Sequence, residues 1–293
     1  MKTAIIVNPV SGGGRALKAL PKIVEWTSSN KIEFEMFSTT GPGDGTRLAR
    51  LCRFSQFERV IVVGGDGTVN EVASALIESD AILGVLPGGT GNDFYKMLGN
   101  GKSLKTGLET AFLGQAGQVD IGLVNGRPFF NTAGIGFDAE VARRAARSNG
   151  SSGRLIYLAA VFQSWRNLHP IELEIELDRV KMSAEIILFC VGNGRSSGGG
   201  FYLTPHANIS DGLFDVCLIE AMPKIRIFRY LPRTLNGSHV RLPGVKVFRC
   251  RKISISSHRD LPVHIDGEPL KGPVKKLDFD MDGRKLKVAM VRR

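Results

Sequence analysis

The run Arg59–Asn70, RVIVVGGDGTVN, constrains this chain more than any other stretch. Four β-branched residues, Val60 to Val63, drop directly into Gly64-Gly65-Asp66-Gly67-Thr68, and a helical pattern starts at Val69. A strand that passes through a glycine turn into a helix aims backbone N–H groups and a helix N-terminus at one place, the arrangement that receives phosphate. Gly64, Gly65 and Gly67 tolerate backbone angles that other residues avoid, and they let a ligand come close to the main chain. Asp66 adds a carboxylate to the turn, which suits phosphate when a divalent cation lies between them.

Two further stretches repeat the pattern. Met1–Gly14 runs as a strand into Asn8-Pro9-Val10-Ser11-Gly12-Gly13-Gly14, and Ile82–Phe94 runs into Gly88-Gly89-Thr90-Gly91-Asn92-Asp93. Neither carries the lysine of a GxxxxGK[ST] loop. Neither completes GxGxxG, because Leu17 stands where the third glycine belongs. A nucleotide bound by these turns is therefore held by backbone amides, by hydroxyls such as those of Thr68 and Thr90, and by a metal.

The first third alternates strand and helix: strands at 4–8, 33–38, 60–63 and 82–86, and helices at 15–27, 46–53, 69–78 and 92–98. Apolar strands alternating with helices predict a doubly wound parallel sheet, with ligands beyond the carboxyl ends of its strands. The pattern changes near Asp120. Val119–Val124, the Asn125-Gly126 pair and Pro128–Asn131 read as a hairpin with a type I′ turn. Gly153–Leu168 reads as a helix. Ile171–Asp178 alternates apolar with acidic residues, a half-buried strand, and further short apolar runs at 186–191, 213–219, 245–250, 253–256 and 263–265 predict an antiparallel sandwich. Gly198-Gly199-Gly200 reads as a loop, and Lys276–Val291, interrupted by Asp282-Gly283, reads as a final hairpin.

At 293 residues the chain has room for two domains, and its 43% hydrophobic and 23% charged residues are those of a globular protein. Cys52, Cys190, Cys217 and Cys250 are scattered and form no CxxC, which predicts buried, reduced thiols in a cytoplasmic protein. No apolar run approaches the roughly 18 residues that span a bilayer, and the first one is too short for a signal peptide. The formal charge of +11 comes with three basic clusters: Arg143, Arg144, Arg147 and Arg154; Lys224, Arg226, Arg229 and Arg233; and Arg241, Lys246, Arg249, Arg251 and Lys252. Few aromatic residues accompany them and no nucleic-acid motif is present, so nucleic acid is not an expected partner. An anionic membrane surface is, with the chain cytoplasmic and peripherally attached.

Four motifs occur in order: NPxSGxG (Asn8 to Gly14), GGDGTxNE (Gly64 to Glu71), GGTGNDF (Gly88 to Phe94) and DGE (Asp266 to Glu268). Together they resemble the catalytic-domain family of diacylglycerol kinases, which includes soluble bacterial lipid kinases and sphingosine kinases. The resemblance covers nearly the whole chain. It implies a nucleotide-binding α/β domain of residues 1–122 and 278–293, a β-sandwich lipid-substrate domain of residues 123–277, and a cleft where ATP meets a lipid hydroxyl. Its implied nucleotide contacts are Asn8, Ser11 and Gly12 in the first turn and Gly64, Gly65, Asp66, Gly67, Thr68 and Asn70 in the second. Thr39, ahead of Gly43-Asp44, and Thr90 complete that set. Tyr95 and Lys96 depart from the small residue and arginine that many relatives carry after NDF.

Phosphoryl transfer needs phosphate charge neutralised and a base beside the acceptor hydroxyl. From the residues alone, Asp93 is a helix cap or a site residue, Asp211-Gly212 a turn or a metal site, and Asp266-Gly267-Glu268 a turn or an acid–base pair. The resemblance implies that Asp66, Asp93, Asp120 and Asp211 form a charged network around a structural Mg²⁺. Asp211 would be the ligand in it, with the carbonyls of Asn208 and Leu213 beside it, and a second Mg²⁺ would arrive with ATP. It also places this DGE at the cleft, where Asp266 and Glu268, two residues apart, share a face if the segment is extended; Glu268, with the longer reach and Pro269 stiffening the backbone behind it, is the expected base, with Asp266 assisting. The expected activity is an ATP- and Mg²⁺-dependent lipid kinase converting diacylglycerol to phosphatidic acid. The alternatives are a kinase of a sphingoid base, monoacylglycerol or phosphatidylglycerol, an NAD kinase, and a non-catalytic lipid- or nucleotide-binding regulator. A homodimer is compatible with each of them.

Overall fold

The computed structural model describes residues 1–99, 103–147, 153–166 and 168–291, without the side chains of residue 147 and residues 153–158. The basic cluster that includes Arg147 and Arg154 therefore lies partly outside the described residues. The chain divides into two compact units, Met1–Val119 with Arg284–Arg293, and Asp120–Gly283.

The first unit alternates β1 (Thr3–Val7), α1 (Ser11–Ser29), β2 (Glu35–Ser38), α2 (Asp44–Phe54), β3 (Arg59–Gly64), α3 (Asp66–Leu76) and β4 (Ile82–Pro87), followed by α4 (Asp93–Met97) and α5 (Leu104–Leu113). β2, β1, β3 and β4 pair in that order, all parallel. The β1 and β3 side chains are buried throughout, as a sheet covered by helices on both faces requires. Ile5, Ile61, Val63 and Leu86 pack against Ala16 and Ile23 of α1 and Leu108 and Phe112 of α5. Arg59 is buried too, and it donates to the carbonyls of Ala111 and Gly114 at 2.8 and 3.0 Å, tying β3 to the end of α5.

The second unit is antiparallel. Its strands are β5 (Gln115–Val124, which begins in the first unit), β6 (Arg127–Phe129), β7 (Thr132–Gly136), β8 (Ile171–Leu177), β9 (Val180–Gly192), β10 (Phe214–Glu220), β11 (Val245–Cys250), β12 (Lys252–Ser256), β13 (Val263–Ile265) and β14 (Glu268–Pro269). The order β14-β13-β7-β9-β8-β12 forms one path, and β10 joins β9 to β11. Phe129, Phe189 and Phe214 anchor the core, the rings of Phe129 and Phe214 stacked with centroids 5.6 Å apart. Three helices interrupt the strands: α6 (Phe137–Arg147), α7 (Gly153–Arg166) and α8 (Lys224–Thr234). Of these, only α7 was expected from the sequence.

The final hairpin does not form. Lys276–Met290 is one continuous strand, β15, through Asp282-Gly283. Its first part pairs antiparallel with β12, and Val288 pairs parallel with Leu83 of β4. Two ladders of opposite sense hold the ends of one strand, so the Asp-Gly pair has no turn to make. Gly283 has ordinary negative-φ geometry.

All four cysteines are buried and unpaired. Burial pushes the Cys52 thiol up to about 11, Cys217 and Cys250 up to about 12, and Cys190 well above its usual value. Thiolate is the reactive form, so a thiol reagent at pH 8 should label none of the four in the folded protein and all four in denaturant. Labelling of any one before unfolding would contradict this burial.

Candidate active site

The three glycine turns leave the carboxyl ends of β1, β3 and β4. Gly12, Gly13 and Gly14 take φ of 60, 69 and 86°, so the start of α1 curls left-handed before regular helix begins at Arg15. Only glycine adopts that path without strain. A Cβ on Gly12 would run into the Gly88 carbonyl, and one on Gly89 into the Gly65 Cα. Around Gly13 and Gly14 an added Cβ would meet nothing within 4 Å. The turns thus pack main chain on main chain on one side and face open space on the other.

Side chains lock this cradle. Asn8 Nδ2 donates to Thr68 Oγ1 at 2.9 Å, and Gly88 N donates to the Gly64 carbonyl at 2.8 Å. Asn92, left-handed at φ 53°, accepts from Gly89 N at 2.8 Å and donates back to the Gly89 carbonyl at 2.9 Å. Asp66 Oδ1 accepts from Phe94 N at 3.2 Å, joining the second turn to the third. Glu71 accepts from Gly43 N and Gly45 N at 2.8 and 2.9 Å, and Thr39 N donates to the Val7 carbonyl at 2.9 Å. Asn8, Ser11, Gly12, Thr39, Gly64, Gly65, Asp66, Gly67, Thr68, Asn70 and Thr90 all belong to this unit. Thr68 and Thr39 are buried, while Thr90 is exposed. Asn92 and Glu71 escaped the sequence reading, although both lie inside its motifs.

Asp93 begins α4, is 5% exposed and lies 3.5 Å from Lys96 Nζ. The departure at Tyr95-Lys96 has a local reason. Lys96 partners Asp93, and the buried Tyr95 hydroxyl fills space that a Cβ on Gly107 of α5 would take.

In the second unit, Asp120 is fully buried and accepts from Gly212 N at 2.7 Å. Asp211 accepts from Leu213 N at 3.1 Å and pairs with Arg249 Nη2. Arg249 Nε also lies 3.6 Å from Asp215, whose carboxyl is raised mainly by burial. Asn208 Oδ1 is occupied by Ser210. Among the described residues no three His, Cys, Asp or Glu side chains come together as a metal would need. The loop offers oxygen donors of the right kind for Mg²⁺, but the guanidinium already neutralises the Asp211 carboxylate.

The DGE segment is not extended. Ile265 pairs with Glu268, and Asp266 and Gly267 form a two-residue turn with φ of 47 and 83°, the geometry of type I′. Asp266 and Glu268 therefore do not share a strand face as expected. The Asp266 carboxylate folds back to accept three amides, Phe130 N at 3.0 Å, Asn131 N at 2.9 Å and Thr132 N at 3.0 Å. Glu268 is half-exposed and pairs with Arg127 Nη2 at 3.0 Å. The two acids thus have different surroundings: one braces the turn, the other faces solvent.

The unit also holds an apolar recess of about 600 Å³, counting its open mouth, between α6, α7 and α8 and the sheet. Phe137, Val141, Leu188, Leu203, Ile227 and Leu231 are among its walls, and among the described residues Asp138 is the one charged residue there. Nothing in the periodicity marked it, because its walls come from six separated segments.

Gly12→Ala should destabilise the first unit and abolish nucleotide binding, since both its φ and the Gly88 carbonyl exclude a Cβ. Gly13→Ala should cost only the left-handed strain of roughly 1–2 kcal/mol. Thermal denaturation with and without ATP ranks the two, and equal losses would refute the close packing.

Comparison with known proteins agrees with these parts. Residues 2–124 match the family described as "Diacylglycerol kinase catalytic domain", and residues 131–288 match the "YegS C-terminal NAD kinase beta sandwich-like domain". A diacylglycerol kinase of Bacillus subtilis is 32% identical over 273 residues, 92% of this chain and 90% of that one. One from Mycobacterium tuberculosis is 29% identical over 274 residues, 91% and 88% of the two chains. The crystal structure of a candidate diacylglycerol kinase from Bacillus anthracis superposes with a TM-score of 0.79 at 25% identity, over 99% of this chain and 96% of that one. With the fold, the ordered motifs and these relatives in agreement, the chain belongs to the diacylglycerol kinase family of lipid kinases.

Proposed function

We propose that this enzyme transfers the γ-phosphoryl group of ATP to the hydroxyl of diacylglycerol, forming phosphatidic acid, with Mg²⁺. The observation that carries the lipid half of the reading is the apolar recess of the second unit, walled by Phe137, Val141, Leu188, Leu203, Ile227 and Leu231. Its lining suits an acyl chain and suits a small polar substrate such as NAD poorly. Sphingoid bases and monoacylglycerols offer similar chains, and the assay below separates them.

The first unit's glycine cradle supplies amides for the phosphates, with Asn8 fixing the Thr68 hydroxyl. Mg²⁺ supplies charge neutralisation when bound, and Asp66 is the carboxylate nearest the cradle's turns to receive it. Asp211, with the carbonyls of Asn208 and Leu213, would hold a structural Mg²⁺ only if the Arg249 guanidinium, which pairs with its carboxylate, gave way. Glu268 takes the hydroxyl proton, because its carboxylate is half-exposed whereas that of Asp266 is committed to three amides. Asp266 acts by bracing that turn.

Peripheral membrane contact follows from α8. Its inner residues Ile227, Tyr230, Leu231 and Thr234 line the recess. Its outer residues Lys224, Ile225, Arg226, Phe228, Arg229 and Arg233 are exposed. Phe162 and Trp165 of α7 extend the apolar part, with Trp165 and Phe228 ring centroids 4.3 Å apart. Among the described residues no carboxylate pairs with Arg226, Arg229 or Arg233. In the third basic cluster, by contrast, Lys246, Arg249 and Lys252 pair with Glu220, Asp211 and Asp280. Apolar residues among unpaired cations suit an anionic bilayer. No helix among the described residues is long and apolar enough to cross one.

The reading is tested with γ-labelled ATP, Mg²⁺ and a panel of lipid alcohols in mixed micelles, where diacylglycerol should be the preferred acceptor. Asp66→Asn should lower turnover by roughly two orders of magnitude, the scale of a lost electrostatic stabiliser, with the melting temperature little changed. Near-normal turnover in that variant would remove Asp66 from the phosphate site. Arg226→Glu with Arg229→Glu should weaken binding to phosphatidylglycerol vesicles, and raising salt should weaken wild-type binding likewise. Equal wild-type binding to neutral vesicles would contradict the basic-face assignment.

A further inference from the structure

The mechanism above leaves a buried acid–imidazole pair unused. His264 on β13 is 1% exposed and Asp138 at the start of α6 is 4% exposed. His264 Nε2 lies 3.1 Å from Asp138 Oδ2, and Asp138 Oδ1 accepts from Ala139 N at 2.9 Å. The other ring nitrogen, Nδ1, accepts from Gly267 N at 3.2 Å. An Nδ1 that accepts a hydrogen bond carries no proton, so the ring proton is on Nε2 and points at the carboxylate. The neighbouring strand is shaped for this pair. A Cβ on Gly134 of β7 would collide with both Asp138 Oδ2 and His264 Nε2.

We propose that His264 is a positioning residue: its imidazole bridges the Asp138 carboxylate in the recess wall to the Gly267 amide, and so holds the Asp266–Glu268 turn relative to the lipid. This rests on the reading of Glu268 as the proton acceptor. Burial of an unpaired carboxylate is costly, so the pair persists only with its partners in place. The turn needs an external hold because Asp266, at φ 47°, is a non-glycine residue in left-handed geometry. Asp266's carboxylate fixes the first half of the turn through the amides of residues 130–132. His264 fixes the second half through Gly267 N, one residue before Glu268. Because Asp138 lines the recess, the same ring ties the place of the acyl chain to the place of the base.

Two substitutions separate the two ends of the bridge. In His264→Gln the longer amide can still donate to Asp138 but leaves Gly267 N without its acceptor. In His264→Asn the shorter amide oxygen sits where Nδ1 was and keeps the Gly267 bond but loses Asp138. The Gln variant should keep a near wild-type melting temperature and an unchanged KM for ATP while kcat falls roughly 10- to 100-fold, the cost of misplacing a reacting group. The Asn variant should melt lower yet recover about tenfold in kcat over the Gln variant. Amide exchange over residues 264–269, read by mass spectrometry, should rise in the Gln variant and not in the Asn variant, whatever substrate is used. A purely structural role predicts that kcat follows melting temperature through both variants, and that result overturns the proposal. If the Asn variant does not fold, the Gln variant decides alone: wild-type kcat and exchange in it overturn the proposal. Glu268→Gln is measured alongside. Full turnover there removes the base reading and this proposal with it, whereas lost turnover there with wild-type kcat in His264→Gln overturns the positioning role only.

Discussion

The nucleotide-binding half of this enzyme depends on main chain packed directly on main chain. Three strand ends converge, and the carbonyl of Gly88 and the Cα atoms of Gly65 and Gly89 occupy the volume a side chain would need. That closeness frees amides for phosphate without a lysine, and it explains why the turns carry glycine on the packed side. The hydrogen bonds of Asn8, Glu71 and Asn92 convert three flexible turns into one fixed surface. Fixing it beforehand matters because a binding surface that must order itself loses affinity to that ordering.

The second unit solves a different problem, that of placing charge in a sandwich whose core is apolar. Three carboxylates there are matched to donors, whereas the buried Asp215 keeps one oxygen without a hydrogen bond, 3.6 Å from Arg249 Nε. Asp120 takes the Gly212 amide, Asp138 takes His264 and the Ala139 amide, and Asp266 takes three amides at the start of β7. Glu268 stands half-exposed with a single arginine partner. A carboxylate with all its oxygens committed to fixed donors is not free to exchange protons, and this contrast is what distinguishes Glu268 from Asp266.

Helix α8 has two faces of different chemistry. Its buried residues face the recess and its exposed residues mix arginine with Ile225 and Phe228. At helical spacing these sets fall on opposite faces. An apolar inner face and a cationic outer face on one helix are what the membrane contact proposed above would use.

Much of this was legible in the order of residues. The alternating apolar strands and helices of the first third, the three glycine turns and the short strands of the second unit follow from local chemistry, since periodicity and turn preference act within a few residues. Even the type I′ turn at Asp266-Gly267 is available from the Asp-Gly pair; only the neighbours on β7 and β14 decide between that turn and an extended segment with both acids on one face. The continuous strand β15 misled for the converse reason: Asp282-Gly283 has the local signature of a hairpin, and only ladders to β12 and β4 keep the chain straight through it. The recess and the Asp138–His264–Gly267 bridge had no signature at all. Asp138 and His264 are 126 residues apart, and what joins them is the pairing of β7 with β13 and the missing side chain at Gly134. Local chemistry was enough for the alternating strands and helices of the first third, its glycine turns and most short strands of the second unit, but not for α5, α6, α8 or the straight run of β15. Only the tertiary structure decided which carboxylates are held and which is left open, because that depends on donors brought from distant strands.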